Sequence, residues 1–358
     1  MSYVASGGLV RLFHERYVKR SFVILFVLSI IAIVVLPLFS GKSPQKTCSG
    51  FAIVPSSSPL KHPLCFVTRV HNYGEWLPEW IEYHAELGVS QFFIAEDCSD
   101  DKSEAQILDL YRELGLVTFF RSIPGNECGS KRKPDERMLI MYATTQAISA
   151  GCDWIGVLDA DEFVTFVHRD WQQVDSLLPV LAQYPLPVLK MAWWVVGSGG
   201  HEHKKKGLQI ENFNTGTYRF PNAKMLARAS ILSSWAKSEY PMTSFECLTQ
   251  LVEDTVPSDS ELLKLTHVDG SSTIVTKSPI MLKHFMYRSY EEYARGRGSL
   301  KLTSNDEPNP WANKRHWESG QFTGTFDPSA MFTTRMAQKV RARFAQRHLP
   351  DAPHQLKL

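Results

Sequence analysis

The chain has 358 residues, of which 44% are hydrophobic and 21% charged, and its formal net charge is +2. This length allows one large or two ordinary domains with a buried core. A charge so close to zero creates no strong positive field, so the composition gives no reason to expect a nucleic-acid partner. Basic clusters at 131–133 and 203–206 indicate solvated loops, and contact with a phosphate-bearing substrate is the alternative.

An uncharged apolar run occupies Phe22–Phe39, and four basic residues precede it, namely Arg11, Arg16, Lys19 and Arg20. About 18 apolar residues suffice to cross a bilayer as a helix, and flanking positive charge stays cytoplasmic. A cleavable signal peptide is the competing interpretation, but the run is long for one and no A-x-A site follows. We therefore expect a cytoplasmic tail (1–21), a transmembrane signal anchor (22–39), a short stem (40–63) and a lumenal domain (64–350). The predicted protein is a single-pass type II protein of the Golgi or another secretory-pathway membrane.

Six cysteines become informative if the domain is lumenal, because that compartment is oxidising. They are Cys48, Cys65, Cys98, Cys128, Cys152 and Cys247. No C-x-x-C pair or His/Cys cluster indicates zinc. The even number predicts between one and three disulfides without specifying their pairing, and buried free thiols are the alternative.

From residue 64 onwards, short β-rich runs alternate with helical periodicity. The expected strands are 64–71, 90–96, 116–121 and 154–158, and the expected helices are 75–87, 99 or 100 to 114, and 135–150. Gly88 is expected to end the first helix in a left-handed conformation, and Ser99 or Asp100 to cap the second. Such alternation predicts an α/β fold with a parallel, Rossmann-like sheet.

The pattern changes after Trp171. We expect a helix to Tyr184, a β-rich run over 188–196, and then short strands and turns through G-S-G-G-H, G-L-Q-I-E-N-F and Y-R-F. Two further helices are expected near 290–297 and 330–347. The prediction is one domain with a nucleotide-binding first half and an acceptor-binding second half.

The run W-I-G-V-L-D-A-D-E-F-V ends an apolar strand with Asp159, Asp161 and Glu162. Carboxylates in so apolar a run cost free energy unless a partner compensates them. Two aspartates one residue apart can approach a single Mn²⁺ or Mg²⁺ ion, which in turn binds substrate phosphates. Because ligands bind at the carboxyl ends of parallel strands, we expect this turn and the acidic residues after the second strand to face one crevice. A capped turn or surface loop is the alternative.

Several segments resemble glycosyltransferase family 92 and the related family 2-like glycosyltransferases. They are E-W-I-E-Y-H followed by L-G-V, then W-I-G-V-L-D-A-D-E-F, G-S-G-G-H, G-L-Q-I-E-N-F and L-K-H-F-M-Y-R-S-Y-E-E-Y-A-R-G-R-G. The resemblance runs in order from Leu64 to near Gly298. The turn Ala95–Asp97 departs from the family's usual Tyr-Asp-Asn-like sequence, which leaves the donor sugar open.

The resemblance implies a GT-A-type mixed sheet flanked by helices, a nucleotide-sugar donor (a UDP-sugar such as UDP-galactose), a Mn²⁺ or Mg²⁺ ion, and inversion at the anomeric carbon. It places Asp159 and Asp161 in the metal and diphosphate motif, with His284 completing that site. The nucleotide would be held by five residues: Arg69, Asn72, Asp97, Asp100 and Asp101.

Inversion by direct displacement needs a general base for the acceptor hydroxyl. Glu211 and Glu246 are the candidate catalytic residues, and Glu211 is favoured because it follows the G-S-G-G-H loop and ends an apolar strand in the expected pattern. His201, in that glycine-rich loop, and Trp193 are candidates for acceptor binding. A structural role is the alternative for each of these residues.

The sequence therefore favours a metal-dependent glycosyltransferase that moves a sugar from a nucleotide sugar to a glycan hydroxyl, with no nucleic-acid partner. A metal-dependent nucleotidyltransferase on a similar sheet is one alternative. A catalytically silent, membrane-tethered glycan-binding or scaffold protein is another. The intact D-A-D motif argues against it, because a silent protein would not need to keep this motif. Oligomeric state, acceptor and linkage are not specified.

Overall fold

The computed structural model describes residues 60–121, 128, 136–166, 174–183, 188–214, 217–230, 232, 266–267, 274–275, 280–295, 314–320, 327 and 329–349. The expected tail and anchor, most of the expected stem, and Glu246 lie outside this set. None of the helices within it combines the length and apolar character needed to span a membrane.

Eight strands form one mixed sheet in the order β3-β2-β1-β4-β7-β6-β10-β5. Neighbouring pairs are parallel except that β7 runs against β4 and β6, and β5 runs against β10. The strands are β1 (His62–Val70), β2 (Gln91–Glu96), β3 (Val117–Phe120), β4 (Cys152–Val157), β5 (Glu162–Phe166), β6 (Val188–Val196), β7 (Thr217–Arg228) and β10 (Ile280–His284). Two short strands, β8 (Thr266–His267) and β9 (Ile274–Val275), pair separately.

Helices flank the sheet on both faces. They are α1 (Leu77–Glu86), α2 (Lys102–Glu113), α3 (Glu136–Ser149), α4 (Leu178–Gln183), α5 (Gln209–Asn212), α6 (Tyr290–Arg295), α7 (Lys314–Ser319) and α8 (Ala330–Gln346). Alternate residues of β1 serve opposite faces, as a strand's period of two requires. Phe66 joins the apolar core under α1, α2 and α8, whereas Val67 joins the one under α3. Covering both faces accounts for the nearly continuous apolar sequence of β1.

Side chains of α1 bind the backbone of the edge strand β5. Trp80 Nε1 donates to Glu162 O at 2.9 Å, and Tyr83 Oη donates to Val164 O at 2.7 Å. His84 Nε2 accepts from Val164 N at 3.2 Å, while its Nδ1 lies 2.9 Å from Trp80 O. Burial lowers the pKa of His84 to about 3, so its ring is neutral and can accept at one nitrogen and donate at the other. The E-W-I-E-Y-H segment thus satisfies an otherwise unpaired strand edge.

The expected mixed α/β sheet is confirmed, and the expected bounds of its first half agree with the structure to within a few residues. Gly88 follows α1 with φ +99°, as its capping role requires. The expected cap of α2 was wrong by one or two positions: Asp101, not Ser99 or Asp100, accepts the Ser103 N–H.

The second half differs more from the expectation. Instead of short strands and turns, the chain forms the short helix α5 and then the long strand β7, which lies in the middle of the sheet. Glu211 therefore belongs to a helix and does not end a strand. β7 has a mixed polar and apolar sequence, so its pattern does not show that it pairs with neighbours on both sides.

Two disulfides join segments of the described chain. Cys65–Cys152 links β1 to β4, and Cys98–Cys128 links the turn after β2 to the segment beyond β3. Cys48 and Cys247 lie outside the described residues. The prediction of one to three disulfides therefore agrees with these two bonds.

Candidate functional site

The parallel strands β1, β2, β4, β6 and β10 all end at one edge of the sheet. Asn72, the acidic residues and His201 lie in the segments that follow the ends of β1, β2, β4 and β6. Arg69 and Trp193 lie within strands, His284 is the last residue of β10, and Glu211 lies in α5. The expected convergence of the acidic segments follows from this parallel arrangement.

The three carboxylates after β4 differ in their surroundings. Glu162 is completely buried, and its Oε2 accepts from Asp159 N at 2.8 Å. Burial, together with the negative charge of Asp159, raises the pKa of the Glu162 carboxyl well above its usual range. Glu162 thus closes the turn from within, and Asp159 and Asp161 remain the more exposed pair of the three.

Lys224 of β7 reaches the same turn. Its Nζ donates to Asp159 Oδ2 at 2.9 Å and lies 3.6 Å from Glu162 Oε2. Burial alone would lower the pKa of Lys224, but the Glu162 and Asp159 carboxylates outweigh it and raise that pKa above its usual value. The sequence analysis missed this residue, and the only available signal was a lone lysine within a segment not recognised as a strand.

The two other predicted metal ligands lie next to each other. His284 Nε2 is 3.4 Å from Asp161 Oδ1, and Phe285 N donates to Asp161 O at 2.9 Å. His284 is 1% exposed, and neither of its ring nitrogens makes a hydrogen bond within the described part of the chain. A buried imidazole without a hydrogen-bond partner beside a carboxylate is a nitrogen and oxygen donor pair, which fits a transition-metal ion such as Mn²⁺ better than Mg²⁺.

The predicted trio does not form a complete metal cage. Among the described residues, no group of three or more His, Cys, Asp or Glu side chains could hold a metal ion. Asp159 is instead bonded to Lys224. Magnesium-like ions in phosphate-binding sites commonly use one or two protein ligands, with substrate phosphates and water supplying the rest. Asp161 and His284 fit that arrangement.

Trp193 packs against His284, and its predicted role in acceptor binding stays a prediction. Its ring centroid is 4.4 Å from that of His284, and Lys224 Nζ is 5.8 Å from the indole centroid. It therefore forms an aromatic wall beside the predicted metal ligands.

The five residues predicted to hold the nucleotide form two hydrogen-bonded sets at the ends of β1 and β2. Arg69 Nη1 donates to Asp97 Oδ2 at 2.5 Å. Asn72, which has φ +54°, accepts at its Oδ1 from the backbone N–H groups of Asp100 and Asp101, both at 3.0 Å. The structure thus brings these residues together, and their role toward a nucleotide stays a prediction.

Glu211 is held by an ion pair with α8. Arg341 donates from Nε to Glu211 Oε1 at 2.9 Å and from Nη2 to Oε2 at 2.5 Å. Such a bidentate bond engages both carboxylate oxygens and fixes their orientation. His201 lies in the loop after β6, where its ring centroid is 6.0 Å from that of Phe213. Burial, assisted by the charge of Lys205, lowers the pKa of His201.

Curated relatives match part of this chain. A glycosyltransferase family 92 protein of Arabidopsis thaliana is 34% identical over 115 residues, which are 31% of this chain and 18% of the relative. A family 92 protein of Oryza sativa subsp. japonica is 30% identical over 114 residues, which cover 29% of this chain and 16% of the relative. The chain thus spans less than a fifth of the length of these relatives in the aligned segments. The resemblance to family 92 is confirmed, whereas no family model matches the chain.

Solved structures give only a slight likeness. A mannosyltransferase from Pyrobaculum calidifontis in complex with GDP-Man and Mn²⁺ has a TM-score of 0.34 and 11% identity, covering 81% of this chain and 77% of that one. An active-site mutant of LgtC has a TM-score of 0.30 and 14% identity, covering 71% of this chain and 99% of that one. Scores this low assign neither a ligand nor an activity to this chain.

Proposed function

We propose that this chain is a nucleotide-sugar-dependent glycosyltransferase that uses a divalent metal ion. One observation carries the proposal: the buried His284 and the Asp161 carboxylate meet at 3.4 Å at the sheet edge where the Arg69–Asp97 group also lies. The similarity to family 92 proteins supports it. The donor sugar is proposed to be galactose carried by UDP, which rests on the family resemblance alone.

Asp161 and His284 would hold Mn²⁺ or Mg²⁺, which when bound would neutralise the charge that develops on a departing diphosphate. Lys224 adds a fixed positive charge beside the same turn and keeps Asp159 in place. Arg69, Asn72 and the acidic turn after β2 would orient the nucleotide. These side chains bind and position the donor, because transfer needs its anomeric carbon aligned with the acceptor hydroxyl.

Inverting transfer also needs a base for the acceptor proton. Glu211 is oriented by two hydrogen bonds from Arg341, and to act as the base it would have to exchange one of them for the acceptor hydroxyl. Glu246 is the other candidate and lies outside the described residues. Replacing each by glutamine and comparing kcat separates them, because only loss of the base should abolish transfer while donor binding persists.

The proposed location is a Golgi or other secretory-pathway membrane, with the chain anchored by residues 22–39 and the sheet on the lumenal side. The two disulfides support an oxidising compartment. In microsomes, a C-terminal tag should resist added protease, and a digested tag would contradict this orientation.

The activity can be tested with the full chain in lipid nanodiscs. Nucleotide release should be measured for a panel of nucleotide sugars and glycan acceptors, with and without Mn²⁺. Metal-dependent release with at least one donor is expected, and no release with any donor would refute the enzyme assignment and favour a silent glycan-binding protein.

Asp161→Ala should lower turnover by about a hundredfold or more, because a directly bound metal ligand is lost. Asp175→Ala is the control, because this exposed aspartate before α4 pairs with Arg335 and Lys339 of α8 and with none of the predicted site residues. Near-normal turnover of Asp161→Ala, with an unchanged melting temperature, would show that Asp161 does not bind an essential metal ion.

A further inference from the structure

One buried glutamate joins the two loops that carry the predicted nucleotide residues. The first loop follows β1 and contains Asn72, and the second follows β2 and includes residues 97–101. Glu104 lies in the first turn of α2 and is completely buried. Its Oε2 accepts a hydrogen bond from Tyr73 N in the first loop, and its Oε1 accepts from Ser99 Oγ in the second at 2.5 Å. A single carboxylate thus connects both loops to the start of α2.

Ser99 extends this connection to Asn72. The Ser99 hydroxyl donates to Glu104 and accepts from Asn72 N at 2.9 Å, so one oxygen bridges the two loops. Asn72 Oδ1 accepts from the N–H groups of Asp100 and Asp101. The second loop therefore holds both the backbone and the side chain of Asn72, and Glu104 holds the serine on which the backbone contact depends.

The first loop lies so close to α2 that no side chain fits between them. A Cβ atom at Gly74 would lie 2.5 Å from Glu104 N and 2.6 Å from Ser103 Oγ. Asn72 and Cys98, one in each loop, have left-handed φ values of +54° and +52°. Residues other than glycine keep such a conformation only where the surrounding contacts determine it, and these positions concentrate at functional sites.

Glu104 can affect a ligand only through the loops, because its side chain has no exposed surface. Burial raises the pKa of the Glu104 carboxyl to about 7. The hydrogen bond from Ser99 opposes this rise, the charges of Glu96 and Asp101 add to it, and His71 opposes it. A neutral amide of the same shape is therefore a close substitute for this carboxyl.

We propose that Glu104 is a positioning residue for donor binding. It holds the loop after β1 against the loop after β2, so that the predicted nucleotide residues are presented in one arrangement before the donor arrives. This assignment rests on the proposed transferase function. A site that is ordered beforehand binds its ligand more tightly, because the cost of ordering is not met at the binding step. Loss of Glu104 should therefore weaken nucleotide binding, whereas the bound donor should still react.

The test measures nucleotide affinity by isothermal titration calorimetry of the full chain in nanodiscs, with UDP and GDP as probes and Mn²⁺ present. Wild type should bind at least one of them. Glu104→Ala should raise the Kd of that nucleotide about tenfold, the equivalent of one buried hydrogen bond. Glu104→Gln should stay within about threefold of wild type, because its amide can accept from Tyr73 N and donate to Ser99 Oγ. At saturating donor, Glu104→Ala should keep nearly the kcat of wild type.

Ser99→Ala is the second variant, and it threatens folding less because Ser99 is only partly buried. It should also raise the nucleotide Kd. Combined with Glu104→Ala, it should raise Kd by less than the product of the two single effects, as expected for residues of one network. Leu108→Ala is the control, because it removes a buried side chain of α2 that has no polar atom to bond either loop. Its melting temperature should fall while its nucleotide Kd stays at the wild-type value.

Backbone hydrogen exchange reports the loops without any nucleotide. Glu104→Ala should speed exchange over residues 71–74 and 97–101, and Leu108→Ala should not single out these loops. Unchanged Kd in both Glu104→Ala and Ser99→Ala, or an equal rise of Kd in Glu104→Gln and Glu104→Ala, would overturn the positioning role and leave the transferase standing. A wild type that binds neither UDP nor GDP would refute the predicted donor site, and the positioning role with it.

Discussion

At the level of single residues, the three carboxylates of the acidic turn after β4 have different hydrogen-bond or ion-pair partners. Glu162 is buried and bonds to the turn's own backbone, Asp159 bonds to Lys224, and Asp161 faces His284. A D-x-D sequence suggests two equivalent metal ligands. The ammonium of Lys224 removes that equivalence, because it occupies one oxygen of Asp159.

Lys224→Met should tighten Mn²⁺ binding while lowering transfer. Removing the ammonium frees Asp159 and withdraws a positive charge close to the metal site, where charges interact by a few kcal/mol at an effective dielectric constant of about 20. We expect the Mn²⁺ dissociation constant, measured by paramagnetic resonance of free Mn²⁺, to fall about tenfold. Lys224→Arg keeps the charge and serves as the control, and equal Mn²⁺ affinity in Lys224→Met and wild type would contradict the prediction.

Glu79 should make stability depend on pH. Burial raises its pKa to about 8 despite two backbone hydrogen bonds, so the folded chain retains a proton that the unfolded chain loses near pH 4.5. The Glu79 contribution is fully present below pH 4.5 and is lost as the pH rises toward 8, by at most about 1.4 kcal/mol per pH unit.

Glu79→Gln imitates the protonated carboxyl and should remove this dependence. The measurement is the free energy of unfolding in urea at pH values from 4.5 to 8, with variant and wild type compared at each pH. The difference should shift in favour of the variant as pH rises. A difference that is constant across this range would mean that Glu79 titrates alike in the folded and unfolded chains.

At the level of elements, helix α1 and strand β5 depend on each other. Trp80, Tyr83 and His84 bond to the strand's free edge, and β5 begins at Glu162, directly after Asp161. Helical spacing alone indicates that these side chains share a buried face. The reason for their polar atoms becomes clear only from the edge strand that they contact.

Tyr83→Phe should destabilise the protein by about 1–3 kcal/mol, because the buried carbonyl of Val164 loses its donor. Tyr142→Phe is a matched deletion on α3, where the tyrosine ring packs edge-on against Phe120 on the opposite face of the sheet. Tyr142→Phe should lower the free energy of unfolding by less than half as much as Tyr83→Phe. Equal losses in urea unfolding would argue against a specific role of α1 at the strand edge.

At the level of the whole molecule, the two disulfides act in different places. Cys65–Cys152 is completely buried and closes 87 residues of chain, whereas Cys98–Cys128 closes 30 residues beside the predicted nucleotide group. Longer closed loops restrict the unfolded chain more, by about 1 kcal/mol for this difference in length.

Cys65→Ala/Cys152→Ala should therefore lower the free energy of unfolding by at least about 1 kcal/mol more than Cys98→Ala/Cys128→Ala does. By contrast, the Cys98→Ala/Cys128→Ala variant should have a higher KM for the nucleotide sugar, because Cys98 lies between Asp97 and the turn held by Asn72. Urea unfolding and donor kinetics measure the two effects. Identical profiles for both double variants would contradict this separation.

The first half of the sheet could be predicted from the sequence because its strands and helices are regular and nearly continuous in chain order. The second half was not, since β7 is inserted between β4 and β6 and its polar residues hide a strand with neighbours on both sides. Lys224 was missed for this reason. Glu211 was assigned to a strand end but lies in α5, because a four-residue helix leaves almost no periodicity.

The sequence by itself determined which local elements form and where acidic residues follow strand ends, because apolar periodicity and turn residues act over short distances along the chain. It also carried the ordered motifs that resemble family 92. Only the tertiary structure decided which of these side chains meet: Asp161 with His284, Asp159 with Lys224, and Gln209 with Arg288. These contacts join residues far apart in the chain, so they depend on strand order and register, which no local pattern specifies.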